Sequence, residues 1–67
     1  YMTKIIPNDI ANIRNKKGIT QTELAKRLNI TVWHLNKIEN HKKPLTTTLA
    51  LRIAEELSVT FNEIFLQ

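Results

Sequence analysis

Sixty-seven residues allow one domain with a small core, and a chain this short buries only about 60% of its unfolded surface. With no cysteine, disulfides, Cys-based zinc sites and thiol nucleophiles are excluded, and no apolar run approaches the roughly 18 residues of a membrane span. The net charge of +4 is uneven: residues 1–49 carry nine Lys/Arg against Asp9, Glu23 and Glu39, a balance of +6, whereas residues 50–67 carry Arg52 against Glu55, Glu56 and Glu63, a balance of −2. Such asymmetry fits either an ordinary basic surface or one face that meets phosphate and one that does not.

In chain order, residues 1–7 read as an arm ending at Pro7, with Tyr1 before Met2, the expected natural start. Asn8 is the expected N-cap of a first helix over about 9–17, which buries Ile10 and Ile13 and stops at Gly18. Thr20 and Glu23 have capping-box spacing and open a second helix over about 21–28. Leu24, Ala25 and Leu28 give it one apolar stripe, with small Ala25 where another helix must come close. Asn29 stands at the turn, where its tolerance of left-handed backbone suits it, and Ile30 plugs that turn. Thr31 caps a third helix over about 32–40, whose inward residues are Leu35 and Ile38.

Residues 41–45 form a basic loop in which Pro44 blocks any continuation of the third helix. Thr46 caps a fourth helix over about 47–57, with Ala50, Ile53, Ala54 and Leu57 as its core stripe. Thr60 and Glu63 repeat the capping box before a short fifth helix over about 61–66, carrying Phe61, Ile64 and Phe65. The pattern predicts an all-α, five-helix domain with no strand and no internal repeat.

The run Thr20 to Asn40, flanked by Ile13-Arg14, Lys17-Gly18-Ile19, Leu51-Arg52-Ile53-Ala54 and Glu63-Ile64-Phe65, resembles the lambda-repressor/Cro-like (XRE-type) helix-turn-helix family. The resemblance runs from about Asn8 to Leu66 and implies a compact DNA-binding domain with its third helix in the major groove. It places Val32, Trp33 and Lys37 on base-reading positions, and Asn36 lies on the same outward face. Asn36 suits adenine and Lys37 suits guanine, while Val32 and Trp33 offer apolar surface to thymine methyl groups. Packing is the competing role for Trp33, against the second helix or a partner chain, and for Val32 at the helix start. A solvated or phosphate-only role competes for Asn36 and Lys37.

The resemblance also implies phosphate contacts for Gln21 at the start of the second helix and for Asn40, Lys42 and Lys43 beyond the third. His34 is read as a phosphate donor or a partly packed ring. Lys16 and Lys17 are weaker phosphate candidates than these. The family places an arginine at position 14 opposite Glu39, implying a partly buried Arg14–Glu39 ion pair that clamps the first helix to the third. Three positions depart from the family pattern: Asn29 and His41 stand where glycine is common, and Pro44 comes one residue early. His is the poorer fit to a left-handed backbone, which leaves the path of residues 41–46 open.

The function expected is sequence-specific binding of double-stranded DNA by a small cytoplasmic transcriptional regulator, a homodimeric repressor. Phe65 and Leu66, with Ile5 and Ile6 in the arm, are its candidate dimer surface, no separate dimerisation domain being expected after the fifth helix. The alternative is a protein-interaction module, antitoxin-like or anti-regulator, on the same scaffold. No metal site, cofactor, small-molecule substrate or membrane is expected. Without a carboxylate pair, activated nucleophile or glycine-rich phosphate loop, an enzyme is not expected either.

Overall fold

Threonine stands immediately before four of the five helices, and the same local chemistry starts each one. The computed structural model describes residues 7–65. Their helices are α1 (Ile10–Lys16), α2 (Gln21–Leu28), α3 (Val32–Glu39), α4 (Thr47–Leu57) and α5 (Phe61–Ile64). Thr20, Thr31, Thr46 and Thr60 are extended, and each hydroxyl accepts the backbone N–H three residues on, at 3.0, 3.0, 3.2 and 3.3 Å. Each such cap stabilises its helix by about 1 kcal/mol. At α2 the capping box is only half made. The Glu23 carboxylate turns to Arg27, one helical turn on, at 2.7 Å, because that partner carries a full charge.

The ends are as uniform as the starts. Gly18, Asn29, His41 and Ser58 all have left-handed backbone, with φ of 71°, 59°, 61° and 58°. The next residue in each case donates its N–H back to the carbonyl five residues earlier: Ile19 to Arg14 at 3.0 Å, Ile30 to Ala25 at 3.0 Å, Lys42 to Lys37 at 2.8 Å and Val59 to Ala54 at 3.0 Å. This closure satisfies carbonyls that the helix itself leaves free. Ile19, Ile30 and Val59 also pack on the core. Only at the α3 exit is the apolar plug replaced by an exposed lysine, Lys42.

The stripes then meet in a single core of Ile10, Leu24, Ala25, Leu28, Leu35, Ile38, Ile53, Ala54, Leu57 and Ile64. Ala25, 1% exposed, is the small residue in the buried stripe of α2, the helix that packs against both α3 and α4. The regular structure of the described residues is entirely helical, as the apolar spacing predicts. An isolated antiparallel bridge joins Asn8 to Phe65, with Asp9 N–H donating to the Ile64 carbonyl at 2.7 Å. It seats Asn8 and Asp9 against the end of α5. The expected arm at 1–7, including Ile5 and Ile6, lies outside the described residues apart from Pro7, and so does Leu66.

Asn8 differs from its expected role. Asp9 occupies the capping position of α1 without a side-chain bond to the helix. Asn8 is buried one residue earlier: its Oδ1 accepts from Ile10 N–H at 3.2 Å, and its Nδ2 donates to the Ile38 carbonyl at 2.9 Å. One amide therefore starts α1 and ties it to α3. The His41 ring reaches the same place, with Nε2 3.2 Å from the Asn8 N–H and 3.3 Å from the Asn8 carbonyl.

The left-handed Ser58 and His41 respond differently to glycine. A non-glycine side chain in this conformation costs about 1–2 kcal/mol, partly offset by the extra freedom glycine gives the unfolded chain. Ser58→Gly is expected to raise the melting temperature by about 2–6 °C. His41→Gly, which also removes the ring bonded to Asn8, is expected to lower it. Thermal unfolding of the two variants beside the wild type checks both signs, and a destabilised Ser58→Gly contradicts the strain argument.

Candidate nucleic-acid interface

α3 uses its inward face for folding. Leu35 and Ile38 are fully buried and Glu39 nearly so. A period of 3.6 residues leaves Val32, Trp33, Asn36, Lys37 and Asn40 on the other side. Val32 is 38% and Trp33 61% exposed, Asn36 and Asn40 are exposed, and Lys37 is half-buried. The Trp33 ring thus lies outside the core, and two ammonium groups approach it: Lys37 Nζ at 5.3 Å and Lys43 Nζ at 5.2 Å from its centroid.

The remaining polar groups on this side are ordered by short bonds. Asn40 Nδ2 donates to the Asn36 carbonyl at 3.0 Å and to Asn36 Oδ1 at 3.1 Å. The Asn36 amide group is left free to donate while its oxygen keeps a lone pair. His34 is half-buried, and its backbone N–H is the one capped by Thr31. Lys42 and Lys43 are exposed in the turn after α3, and Val32 opens the helix directly behind the Thr31 cap.

Behind this face sits a buried charge pair. Arg14 donates to Glu39 in two places, Nε to Oε2 at 2.9 Å and Nη2 to Oε1 at 3.1 Å. Its third nitrogen, Nη1, donates to the Ile19 carbonyl at 2.9 Å and to Asn15 Oδ1 at 3.3 Å. Gln21 Nε2 adds a third bond to the carboxylate, 2.8 Å from Glu39 Oε1. Glu39 sits at the C-terminal end of α3, where backbone carbonyls repel an anion. Three N–H donors and one full positive charge offset that repulsion. No buried side-chain nitrogen or oxygen among the described residues lacks a partner.

The structure brings Val32, Trp33, Asn36, Lys37, Asn40 and Lys43 to one side of α3. Gln21 stands apart from that group, its side chain committed to Glu39. Its second amide hydrogen and its backbone N–H remain available. Phe65 is half-buried against the core and edge-on to Phe61, with centroids 5.2 Å apart. Lys16 and Lys17 line an open groove of about 460 Å³ with Asp9, Ile13, Val59 and Glu63. The bond from Gln21 to Glu39 and the exposure of Leu51 on α4, at 50%, lie outside the sequence expectations. For Leu51 a signal existed, since it falls outside the Ala50, Ile53, Ala54, Leu57 stripe.

The helix-turn-helix family model matches residues 10–64. A relative from Mycobacterium tuberculosis, named the HTH-type transcriptional regulator RamB, is 40% identical over 50 residues. That match covers 75% of this chain and 10% of the relative, so the chain spans about a tenth of that protein's length. Among solved structures, the clp gene regulator ClgR of C. glutamicum superposes with a TM-score of 0.77 at 22% identity, over 81% of this chain and 70% of its own. A Bacteroides fragilis chain described as a candidate DNA-binding protein reaches 0.87 at 18% identity, over 92% of this chain and all of its own. At those identities the superpositions speak for the fold alone.

Removing one charge of a buried pair leaves the other unpaired, which costs about 3–5 kcal/mol, whereas exchanging both for apolar groups is often neutral. A domain of this length has only about 3–10 kcal/mol in total. Glu39→Gln and Arg14→Met are therefore each expected to unfold much of the protein at 37 °C. The double variant Arg14→Met/Glu39→Met is expected to be more stable than either. Urea unfolding of the three variants checks the order, and equal losses for all three would contradict the charge argument.

Proposed function

The chain belongs to the helix-turn-helix family, and on that premise we propose that it binds double-stranded DNA as a sequence-specific transcriptional regulator, a homodimeric repressor. The observation that carries this reading is the division of α3. Its inner face is fully engaged, and its outer face presents two apolar side chains, an amide and an ammonium that the fold does not use. A helix of this kind enters the major groove with its N-terminal residues toward the base edges. Val32 and Trp33 then meet thymine methyl groups, Asn36 pairs with adenine and Lys37 donates to guanine.

Gln21, His34, Asn40, Lys42 and Lys43 supply phosphate contacts around this centre, setting orientation without specifying sequence. The start of α2 adds backbone N–H groups that favour an anion. Two copies on half-sites about one helical turn apart give the length of sequence that one short helix does not. Phe65, Leu66 and the half-exposed Leu51 are the apolar groups offered to the second copy. No helix among the described residues is long and apolar enough to cross a membrane, and we place the protein with its DNA in the cytoplasm.

The exposure of Trp33 favours one second reading, a protein-interaction module that uses the same face. The two separate on the variants Lys37→Ala and Trp33→Ala: loss of a protein partner with DNA binding intact selects the second.

Selection of bound duplexes from a random pool, with the mass of the complex, tests the first reading. A recovered two-fold sequence bound by two chains is expected. Lys42→Ala is expected to weaken binding to all duplexes alike and to reduce the slope of log K against log salt by about one. Asn36→Ala is expected to cost about 1–3 kcal/mol on the recovered duplex and relax one position. A pool that yields no preferred sequence, with uniformly weak binding at moderate salt, rejects the proposal.

A further inference from the structure

Lys37 and Lys43 come from different parts of the chain and meet at one ring. Lys37 follows Trp33 by four residues in α3, so helical spacing alone places it on the same side. Lys43 arrives from the loop beyond α3, whose path is set by the left-handed His41 and the 2.8 Å bond from Lys42 N–H to the Lys37 carbonyl. Both ammonium groups lie within 5.3 Å of the Trp33 centroid. Two like charges gathered there repel each other. The nearby carboxylate of α3, Glu39, is buried and already bonded to Arg14 and Gln21. What attracts both lysines is the negative face of the indole, the strongest cation acceptor among the aromatic side chains.

We propose that Trp33 is a positioning residue that holds Lys37 and Lys43 as one unit, fixing the base-edge donor and a phosphate donor in register before DNA arrives. This rests on the DNA-binding reading above. Each lysine has a long, freely rotating stem, and an interface must immobilise both. Stems already gathered on the indole lose less freedom on binding, so pre-organisation raises affinity without a new contact. Coupling through one ring also predicts that the two lysines do not act independently. A tryptophan that merely touched a base leaves each lysine's effect unchanged.

The free protein gives the first readout. The ε-methylene protons of Lys37 and Lys43 are expected upfield of the other lysines through the indole ring current. Trp33→Leu abolishes those shifts, and Trp33→Phe keeps part of them. Circular dichroism of both variants is expected to match the wild type because the ring lies outside the core. Next, Lys37→Met and Lys43→Met are measured singly in the wild-type and Trp33→Leu chains, on the duplex recovered from the pool and on an unrelated duplex. In the wild-type background Lys37→Met is expected to weaken the recovered duplex about tenfold or more, the size of one base contact. Each lysine's effect is expected to shrink at least threefold when Trp33 is leucine, and Trp33→Phe to restore part of it. Unshifted lysine protons, or lysine effects of equal size in both backgrounds, overturn the role given to Trp33. A wild-type chain that prefers no duplex overturns the DNA reading instead, and does so before any variant is compared.

Discussion

The position of α3 depends on a carboxylate placed where the helix itself opposes it. Eight residues are too few for a helix to persist alone, so its order must come from packing. Yet one side of α3 is withheld from the core. Leu35, Ile38 and Glu39 are what remains to hold it, and of their side chains only that of Glu39 makes directional bonds. Arg14 brings α1 and the Ile19 carbonyl to that carboxylate, and Gln21 brings the first residue of α2. One buried charge therefore joins three helices and a turn. A buried ion pair contributes little net stability against its own desolvation. Its effect here is geometric, since a bidentate guanidinium admits few orientations.

What could be read from the sequence follows the range of each interaction. The threonine caps, the apolar stripes and the left-handed turn at Asn29 are decided within five residues, and the five helices were visible from them. The start of α1 and the end of α5 fall inside the bounds that spacing predicts, because the bridge between Asn8 and Phe65 takes up the backbone there. That bridge spans nearly the whole chain. Local spacing makes Asn8 a simple cap, because its second bond, to the Ile38 carbonyl, reaches 30 residues ahead. Ser58 carries no local signal, since serine has no special preference for the left-handed turn it makes. The outward face of α3 was visible from Leu35 and Ile38, whereas the approach of Lys43 to Trp33 requires a loop path that no local rule supplies.

His41 shows how a poor local fit is resolved by a distant partner. Its backbone asks for glycine, and its neighbour Lys42 lacks the apolar side chain that completes the other three helix exits. In their place the imidazole lies on the backbone of Asn8, which is itself bonded to α3 through Ile38. The exit of α3 is thus fastened to the start of α1 and, through the bridge, to α5. Lys42 and Lys43 leave from this fixed point. A lysine in the slot that isoleucine or valine fills elsewhere weakens the local closure and adds a charge beside the outward face of α3.

The same trade is larger at Trp33. Burying an aromatic side chain of this size stabilises a protein by about 2–3 kcal/mol. In a domain whose total is about 3–10 kcal/mol, that is a substantial fraction. The chain has a single tryptophan and leaves it 61% exposed, while isoleucine and leucine supply the fully buried core. Surface contact with two lysine stems recovers a small part of the forgone burial, since exposed cation–π pairs contribute about 0.5–1 kcal/mol each. Stability alone would place an indole inward and a polar residue at position 33. An exposed indole flanked by two ammonium groups is a surface suited to a partner that brings both apolar area and negative charge, which is the combination the proposed DNA contact supplies.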